Sequence, residues 1–363
     1  MTSDSVAVLG TGLVGTSIAM AASRAGCRVS GWDRDAHVAG RAAERSGLSV
    51  APSLVACVRD VELVVVSAPI PAIAEIAAEA LIAAPGAVVS DAGSIKAKVH
   101  AEVEAMARPE AIPRFVGGHP MGGSERSGPE HASASMVDGA VWVLTTGPRT
   151  EPWAFERLER FVRSLGAHPV RMDPERHDRL VALVSHLPQV ASTTLMGLAA
   201  TEEASEPEVL LLAAGGFRDL TRLAASNPAL WSEILLANSE AITDAIDRYV
   251  DRLRDLRSLI ADEREPELRE ALAAAKAARL SLAAKPQVRA GVAILQIEVP
   301  DRPGALAQLT IALADASVNI EDLQIVHSPE GGRGAVHLTV AASAAEETGR
   351  VLASQGFDPT RLA

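Results

Sequence analysis

Groups able to do acid–base chemistry are concentrated in residues 117–125, which have the sequence GGHPMGGSE. The imidazole of His119 can act as a general base, because an unperturbed histidine titrates near neutral pH. The surrounding glycines indicate a loop that follows a strand. A loop histidine can also be merely solvated, and the spacing alone leaves both interpretations open.

Residues 215–222, GGFRDLTR, form a second polar segment. Arg218 and Arg222 are four residues apart and share one face if the segment is helical. A guanidinium can hold a carboxylate through two parallel hydrogen bonds, which favours an anionic substrate. An exposed ion pair with Asp219 is the alternative. Residues 185–189, SHLPQ, add a helix start that can present further polar groups.

Residues 10–15, GTGLVG, are the sharpest motif, because they follow a predicted strand at 6–9 and open an apolar helix. Gly10 permits a tight turn, Gly12 lets the backbone approach a pyrophosphate, and Gly15 lets the helix pack close to the strand. The helix N-terminus then faces the negative charge. This arrangement predicts a dinucleotide-binding turn.

The next predicted strand ends at Asp33, which can accept hydrogen bonds from ribose hydroxyls and repel a 2′-phosphate. NAD is therefore the expected cofactor, and Arg34 keeps NADP open as an alternative. Residues 67–69 end another strand and either approach the nicotinamide or form a simple turn. The predicted cofactor contacts are Gly10, Thr11, Gly12, Leu13, Val14, Gly15, Asp33, Arg34, Ser67, Ala68 and Pro69.

Short apolar runs alternate with amphipathic helical stretches from Val6 to about Met172. The runs are continuous in Val, Ala and Leu, which is typical of a sheet covered on both faces. The chain therefore begins with a doubly wound α/β unit. The predicted strands are 6–9, 28–32, 63–67, 87–90, 115–117 and 140–144.

Residues 174–282 show no convincing strand pattern. Asn227 can cap a helix that begins at Pro228. A long apolar stripe at helical spacing then suits either a partner subunit, as in a homodimer, or the interior of the same chain. Its members are Trp231, Ile234, Leu235, Ile242, Ile246, Val250, Leu253, Leu256 and Ile260.

Lys285 and Pro286 form a predicted linker to a small βαββα unit. Alternation over residues 292–299 predicts a half-exposed strand. A turn at 301–304 leads into a helix, and strands at 318–327 and 335–341 precede a last helix at 344–354. A final strand is barely present in residues 356–363.

The net charge of −12 and the pI of about 5.3 disfavour nucleic acid and anionic membrane as partners. Cys27 and Cys57 lie in apolar stretches, so we expect buried thiols and neither a disulfide nor a metal site. No signal-peptide pattern opens the sequence, and the apolar run at 190–200 is too short to span a bilayer. We therefore expect a cytoplasmic protein.

Several motifs, in order along nearly the whole chain, resemble the prephenate/arogenate dehydrogenases of tyrosine biosynthesis that carry a C-terminal ACT domain. The motifs are GTGLVG (10–15), SAPI (67–70), DAGSIK (91–96), GGHPMGGSERSG (117–128), VSHLP (184–188) and GGFRDLTRLAASNPALW (215–231). The resemblance implies NAD-dependent oxidative decarboxylation of prephenate to 4-hydroxyphenylpyruvate. Three domains are implied.

The first implied domain is a Rossmann-like, NAD-binding α/β domain at 1–172. The second, at 173–285, is an all-α domain for substrate binding and dimerisation, like the C-terminal domain of 6-phosphogluconate dehydrogenase. The third is a ferredoxin-like ACT domain at 289–363.

The same resemblance implies roles for individual residues. His119 would accept the proton of the ring hydroxyl, and Ser94 would help to hold that hydroxyl and the nicotinamide. Arg222 would bind a substrate carboxylate, and Trp231, from the same or the partner subunit, would close the pocket. The remaining expected substrate contacts are Ser185, His186 and Gln189 in the pocket and Glu125, Arg218 and Asp219 at its entrance.

Gln189 departs from the family pattern, because many prephenate-specific members have a histidine there. Glutamine carries no positive charge, so it weakens attraction for a side-chain carboxylate and suits the zwitterionic side chain of arogenate better. An arogenate dehydrogenase is therefore the alternative within the family. A β-hydroxyacid dehydrogenase needs a catalytic lysine, and Lys276 and Lys285 lie too late in the chain. A non-catalytic amino-acid sensor is the alternative from another class.

Residues 301–306, DRPGAL, resemble the ligand loop of ACT domains. The resemblance implies feedback control by an aromatic amino acid, tyrosine first, with contacts from Asp301, Gly304, Ala305 and Asn319. Gly304 at a helix start leaves backbone N–H groups open to a carboxylate. An ACT domain that only dimerises is the alternative.

Overall fold

Valine-rich runs too short for helices form the strands of one large sheet in this computed structural model. The structure describes residues 4–122, 127–284, 292–300, 302–316, 318–327, 333–341 and 344–361. Contacts divide the chain into two compact units, Met1–Asp255 and Leu256–Ala363. The first unit holds the large sheet and most of the helices that follow it.

The large sheet has 8 strands in the order β3-β2-β1-β4-β5-β6-β7-β8. All neighbours pair in parallel except β6 and β7, which are antiparallel. The order reverses at β1, and in such sheets ligands bind at the carboxyl ends of the strands beside that point. The strands are β1 (Ser5–Leu9), β2 (Arg28–Trp32), β3 (Ser49–Val50), β4 (Leu63–Val66), β5 (Val88–Asp91), β6 (Phe115–Pro120), β7 (Val141–Thr145) and β8 (His168–Met172).

Helices cover both faces of this sheet, and every residue of β1, β4 and β5 is buried. The predicted doubly wound α/β fold is therefore confirmed. The helices are α1 (Leu13–Arg24), α2 (Ala36–Ser46), α3 (Leu54–Val58), α4 (Ile70–Ala83), α5 (Ala97–Met106) and α6 (Pro152–Ser164).

Sequence reasoning missed two strands, β3 and β8, and ended a third, β6, too early. β3 has 2 residues, which is too short to give a pattern, and the HPVRM sequence of β8 lacks a continuous apolar run. The predicted loop at His119 is wrong as well, because β6 runs to Pro120. Its glycines are required by close packing: a Cβ at Gly117 would lie 2.3 Å from Thr145 Oγ1 and one at Gly118 2.5 Å from the Asp91 carbonyl.

Residues 174–284, all of which are described, contain helices and no strand, as predicted. Asn227 caps its helix through a side-chain oxygen that accepts from Ala229 N and Leu230 N. The long apolar stripe is not one helix, because the chain breaks at Asn238. The helices are α7 (Pro174–Val181), α8 (Leu187–Glu203), α9 (Glu208–Leu211), α10 (Gly215–Thr221), α11 (Pro228–Ala237), α12 (Ser239–Ala261) and α13 (Glu265–Ala284).

Between α7 and α8 the helix widens into a π-helical turn at Ala182–His186. The cause is Pro188, which has no N–H for the Val184 carbonyl and whose ring crowds that carbonyl. The whole stretch Pro174–Glu203 is long and apolar enough, by length and composition alone, to cross a membrane. Within this stretch, the buried His177 and Asp178 bond to residues of the sheet layer.

The second unit contains a separate sheet with 4 strands in the order β10-β11-β9-β12. Alternating residues of its first strand fill the core, with Ala293, Leu295, Ile297 and Val299 all buried. The final strand, which was expected to be barely present, has 3 residues and pairs antiparallel with β9 as β12, which completes a βαββαβ fold. The elements are β9 (Val292–Pro300), α14 (Ala305–Asp315), β10 (Ile320–His327), β11 (Arg333–Ala341), α15 (Ala345–Ser354) and β12 (Pro359–Arg361).

Both cysteines are free thiols. Cys57 is buried as expected, and burial raises the pKa of its thiol to about 11. Cys27 is only half-buried, so the expectation of two fully buried thiols was wrong for this residue.

Candidate active site

The turn between β1 and α1 has no room for a side chain at two of its three glycines. Gly10 has a φ of +91°, and a Cβ there would lie 2.2 Å from the carbonyl oxygen of Ser67. A Cβ at Gly15 would lie 2.0 Å from the Gly10 carbonyl oxygen. Gly12 has open space instead, with nothing within 4 Å of its Cβ position. The turn therefore closes tightly on the sheet and leaves a gap where a pyrophosphate can approach the backbone.

The carboxylate of Asp33 is held beside this turn at the end of β2. Its Oδ2 accepts from Thr11 N at 2.7 Å and from Thr11 Oγ1 at 3.2 Å. Its Oδ1 accepts from Asp35 N at 3.0 Å. Asp33 is thereby oriented next to the open space that adjoins Gly12, as a ribose-binding carboxylate requires.

A cavity of about 750 Å³ connects these groups at the switch point of the sheet. The apolar side chains of Trp32, Leu54 and Ile76 form part of its lining and suit an adenine ring. Leu13 is buried and Val14 packs into the core, so at those two positions the backbone faces the turn. The predicted cofactor residues that line the cavity are Gly10, Gly12, Asp33, Arg34, Ser67, Ala68 and Pro69.

His119 lies on β6 and contacts the first helix of the all-α part. Its Nδ1 is 2.8 Å from Nε2 of His177, which α7 carries. Burial lowers the pKa of His119 well below its usual value, and the positive charges that His177, Lys96 and His186 can carry act in the same direction. The imidazole is therefore held neutral, which is the state that a general base requires.

A buried ion pair between Lys96 and Asp91 fixes the strand that carries His119. Lys96 Nζ also donates to the Gly118 carbonyl oxygen at 2.7 Å, and Asp91 Oδ1 accepts from Gly118 N at 3.1 Å. Burial lowers the pKa of Lys96, while Asp91 opposes that shift. The pair ties β5 to β6 one residue before His119.

Ser94 lies half-buried in the turn between β5 and α5, two residues before Lys96. This turn follows the carboxyl end of β5, and Ala92 N before it donates to the Val66 carbonyl at 2.8 Å. Ser94 therefore lies at the carboxyl edge of the sheet.

His186 is the last residue of the π-helical turn and is buried. Asn238 Nδ2 lies 3.3 Å from its Nδ1, and the indole of Trp231 packs edge-on with ring centroids 6.0 Å apart. Burial lowers the pKa of His186 to about 4. The turn and the start of α11 thus place two of the predicted pocket residues side by side.

Gln189 is buried one turn further along α8. Its Nε2 donates to the Leu223 carbonyl oxygen at 2.9 Å and to Thr193 Oγ1 at 3.3 Å. This bond holds α8 against the segment that begins with Arg222. Ser185, on the preceding π-helical turn, is half-buried.

The arginine segment differs from its prediction. α10 ends at Thr221 and Arg222 begins a 3₁₀ turn, so Arg218 and Arg222 do not share one regular α-helix. Arg218, Asp219 and Arg222 are all exposed. Glu125, the other predicted gate residue, lies outside the described residues.

His177, Asp178 and Lys96 were missed as site residues. A signal was available for the first two: Pro174, His177, Asp178 and Val181 recur at helical spacing and form the buried face of α7. A histidine and an acid on the buried face of a helix need polar partners, and the other charged residues of α7 are exposed. Lys96 lies within the DAGSIK motif, from which only Ser94 was assigned.

The proposed effector loop belongs to the second unit. Gly304 has a φ of +88° and precedes the first turn of α14, with no side-chain cap. Ala305 is buried and Asn319 is exposed. Asp301 lies outside the described residues.

Known proteins match this chain along nearly its whole length. Family descriptions match in order: the prephenate dehydrogenase nucleotide-binding domain at 18–171, the prephenate dehydrogenase dimerization domain at 173–274 and the ACT domain at 293–354. Prephenate dehydrogenase from Bacillus subtilis (strain 168) is 32% identical over 93% of this chain and 92% of its own length.

Solved structures give the same result for the first two domains. Prephenate dehydrogenase from A. aeolicus, in complex with hydroxyphenyl propionate and NAD⁺, has a TM-score of 0.72 at 29% identity, over 78% of this chain and 99% of that one. Synechocystis arogenate dehydrogenase has a TM-score of 0.69 at 27% identity, over 77% of this chain and 99% of that one. With its Rossmann-like, helical and ACT domains, the chain belongs to the prephenate dehydrogenase family.

Proposed function

We propose that this NAD-dependent dehydrogenase converts prephenate to 4-hydroxyphenylpyruvate by oxidative decarboxylation, in tyrosine biosynthesis. The observation that carries the proposal is the neutral imidazole of His119, half-buried near the carboxyl end of β6 in the sheet that also carries the dinucleotide-binding turn. The glycine turn and Asp33 supply the cradle for NAD, and NAD⁺, when bound, accepts a hydride.

The chain's own residues handle the proton and the orientation of the substrate. His119 accepts the proton of the C4 hydroxyl, and Ser94 holds that hydroxyl in line. The C4 hydride leaves for NAD⁺, the bond from C1 to the ring carboxylate breaks, and carbon dioxide departs as the ring becomes aromatic. The C4 oxygen then takes the proton back from His119, which gives the phenol. Arg222 holds a carboxylate of the substrate in this proposal, since guanidinium groups bind carboxylates in two-point fashion.

The remaining predicted contacts complete the pocket around the ring. Ser185, His186 and Gln189 line it, Trp231 closes it, and Glu125, Arg218 and Asp219 control its entrance. Support comes from the ring contact between His186 and Trp231 and, separately, from the bond that Gln189 donates to the Leu223 carbonyl oxygen.

NADH formation by the purified protein tests the proposal. With prephenate and NAD⁺ we expect NADH and 4-hydroxyphenylpyruvate in equal amounts. Absence of NADH with both prephenate and arogenate would contradict the proposed reaction.

An arogenate dehydrogenase is the second candidate, and Gln189 favours it. Of the buried side-chain atoms in the described residues, Gln189 Oε1 is one of those without a hydrogen-bond partner. An amide oxygen only accepts, so it suits the ammonium of arogenate, which only donates. Comparing kcat/KM for the two substrates decides between them, and Gln189→His should shift the ratio towards prephenate.

The assembly and regulation are also proposals. Large apolar side chains are exposed on the helical domain, among them Leu211 and Leu212 at 81% and 79%, and a homodimer would cover them. We propose domain limits of 1–172, 173–285 and 289–363, a cytoplasmic location, and tyrosine as the ligand of the ACT domain through Asp301, Gly304, Ala305 and Asn319.

A further inference from the structure

A chain of hydrogen bonds leads from a carboxylate on α7 to His119 on β6. Asp178 Oδ1 lies 2.7 Å from His177 Nδ1, and His177 Nε2 lies 2.8 Å from His119 Nδ1. His177 and Asp178 are only 1% and 4% exposed, so bulk water does not compete for these bonds. We propose that His177 and Asp178 are positioning residues that fix the tautomer of His119, leaving Nε2 as the atom that accepts a proton.

The position of each hydrogen follows from what each atom can donate. A carboxylate only accepts, and Asp178 also accepts from Lys96 N at 2.9 Å and from Ala97 N at 2.8 Å. The hydrogen between Asp178 and His177 therefore sits on His177 Nδ1. In the neutral form of His177, Nε2 carries no hydrogen and can only accept, so the next hydrogen sits on His119 Nδ1. His119 keeps its lone pair on Nε2.

The fixed tautomer lets His119 act as a base. In a neutral imidazole one nitrogen carries the hydrogen, and the partner of that nitrogen decides which one it is. Without a fixed acceptor at Nδ1, a fraction of the His119 population would present an N–H to the substrate hydroxyl and could not take its proton. The Asp178 carboxylate also lies two hydrogen bonds from the imidazolium that forms, and its negative charge stabilises that cation.

Two sets of contacts fix the hydrogen-bonded chain Asp178–His177–His119, which we call the relay. Asp178 caps the N-terminus of α5 with both of its oxygens, so its carboxylate cannot rotate without breaking those bonds. Asn238, at the break between α11 and α12, donates to the Asp178 backbone carbonyl at 2.9 Å. The relay is thus anchored from the Rossmann-like domain and from the helical domain.

Nitrogen NMR of the full-length protein with ¹⁵N-labelled histidine tests the tautomers directly. We expect His119 and His177 both to carry hydrogen on Nδ1 at neutral pH, with assignments from the signals lost in His119→Asn and His177→Gln. A wild-type His119 that carries its hydrogen on Nε2 would overturn the proposal. The relay rests on the proposed role of His119 as base, but this readout needs no turnover, so a failure of the proposed reaction would be seen separately.

Kinetics of two His177 variants separate positioning from packing. His177→Gln keeps an oxygen acceptor near the Nε2 position, whereas His177→Phe keeps the ring volume without an acceptor. We expect His177→Phe to lower kcat by about 10²-fold with little change in KM, and His177→Gln to recover most of that loss. Equal losses in both variants would mean that His177 only packs.

His100→Phe is the matched control. His100 is also a buried imidazole, bonded to Thr145 Oγ1 at 2.9 Å, and it takes no part in the relay. We expect a kcat within about threefold of wild type, together with an unchanged tautomer of His119. If His177→Phe does not fold, the tautomer measured in wild type and in His177→Gln still decides, because loss of the Nδ1 hydrogen in His177→Gln would contradict the relay.

Discussion

At the scale of single residues, the surroundings of His119 set the pH range in which it can act. Burial favours the neutral imidazole, and positive charge on His177, Lys96 or His186 would further oppose protonation. A lowered pKa means that the base form persists below the usual histidine value of 6.5. Activity is then lost only when the pH falls through the lowered pKa.

We therefore expect kcat/KM for prephenate to stay level from about pH 8 to about pH 6.5 and to fall only in more acidic solution.

His119→Asn should lower kcat by ~10²–10⁴-fold with a modest change in KM, because a general base is lost. Initial rates across this pH range check both statements. His131→Asn, an exposed histidine, is the control. A wild-type decline already between about pH 8 and 6.5 would contradict the assignment.

The sequence identified the candidate site residues that lie within family motifs. It did not identify the residues that hold them in position. His119 and Asp33 stand in motifs whose spacing states their use. His177 and Asp178 act through contacts with residues 58 and 82 positions away, and no local pattern encodes such pairings. The contribution of Lys96 is equally non-local, since its ammonium bonds to Gly118 on the neighbouring strand.

At the scale of elements, the strands with continuous apolar runs were predictable and the short or polar ones were not. β1 and β4 match their predictions closely because burial on both faces demands Val, Ala and Leu. The apolar stripe after Trp231 was predicted as one helix, but the structure breaks it at Asn238. That break is a tertiary effect, because the Asn238 side chain is committed to the Asp178 carbonyl.

The glycine turn provides a prediction at this scale. Gly10→Ala should raise KM for NAD⁺ at least about tenfold, because the methyl group meets the Ser67 carbonyl 2.2 Å away and the backbone φ of +91° disfavours alanine. Gly47→Ala is the matched control, with a φ of +74° and nothing within 4 Å. It should lose stability of about 1 kcal/mol from backbone strain and keep its KM. Equal KM values for the two variants would show that the close approach is unimportant.

At the scale of the whole molecule, the proposed homodimer would bury apolar side chains that are exposed on the helical domain. Leu211→Lys combined with Leu212→Lys should convert a dimer to a monomer, because two charges would be buried in the interface. Light scattering after gel filtration measures the mass. Ile82→Lys, at a 50% exposed position on α4, is the control and should remain dimeric. A double variant of unchanged mass would place the interface elsewhere.

Regulation by the ACT domain is tested with tyrosine as a ligand. We expect tyrosine to inhibit the full chain and to leave a chain ending at Lys285 uninhibited. Full-length Gly304→Val should behave like the truncated chain, because valine disfavours the φ of +88° at the start of α14. Equal inhibition of all three proteins would place the inhibitory site in the catalytic crevice instead.

The cap that Asp178 forms on α5 also restricts how substrates enter. Swinging the helical domain away from the sheet would break the bonds from the Lys96 and Ala97 amides to Asp178 and the bond between His119 and His177, each with a net contribution of about 0.5–1.5 kcal/mol. Separation of the two domains on that side therefore costs free energy. Exchange of cofactor and substrate on the opposite side would leave these contacts, and the base that they hold, in place throughout the cycle.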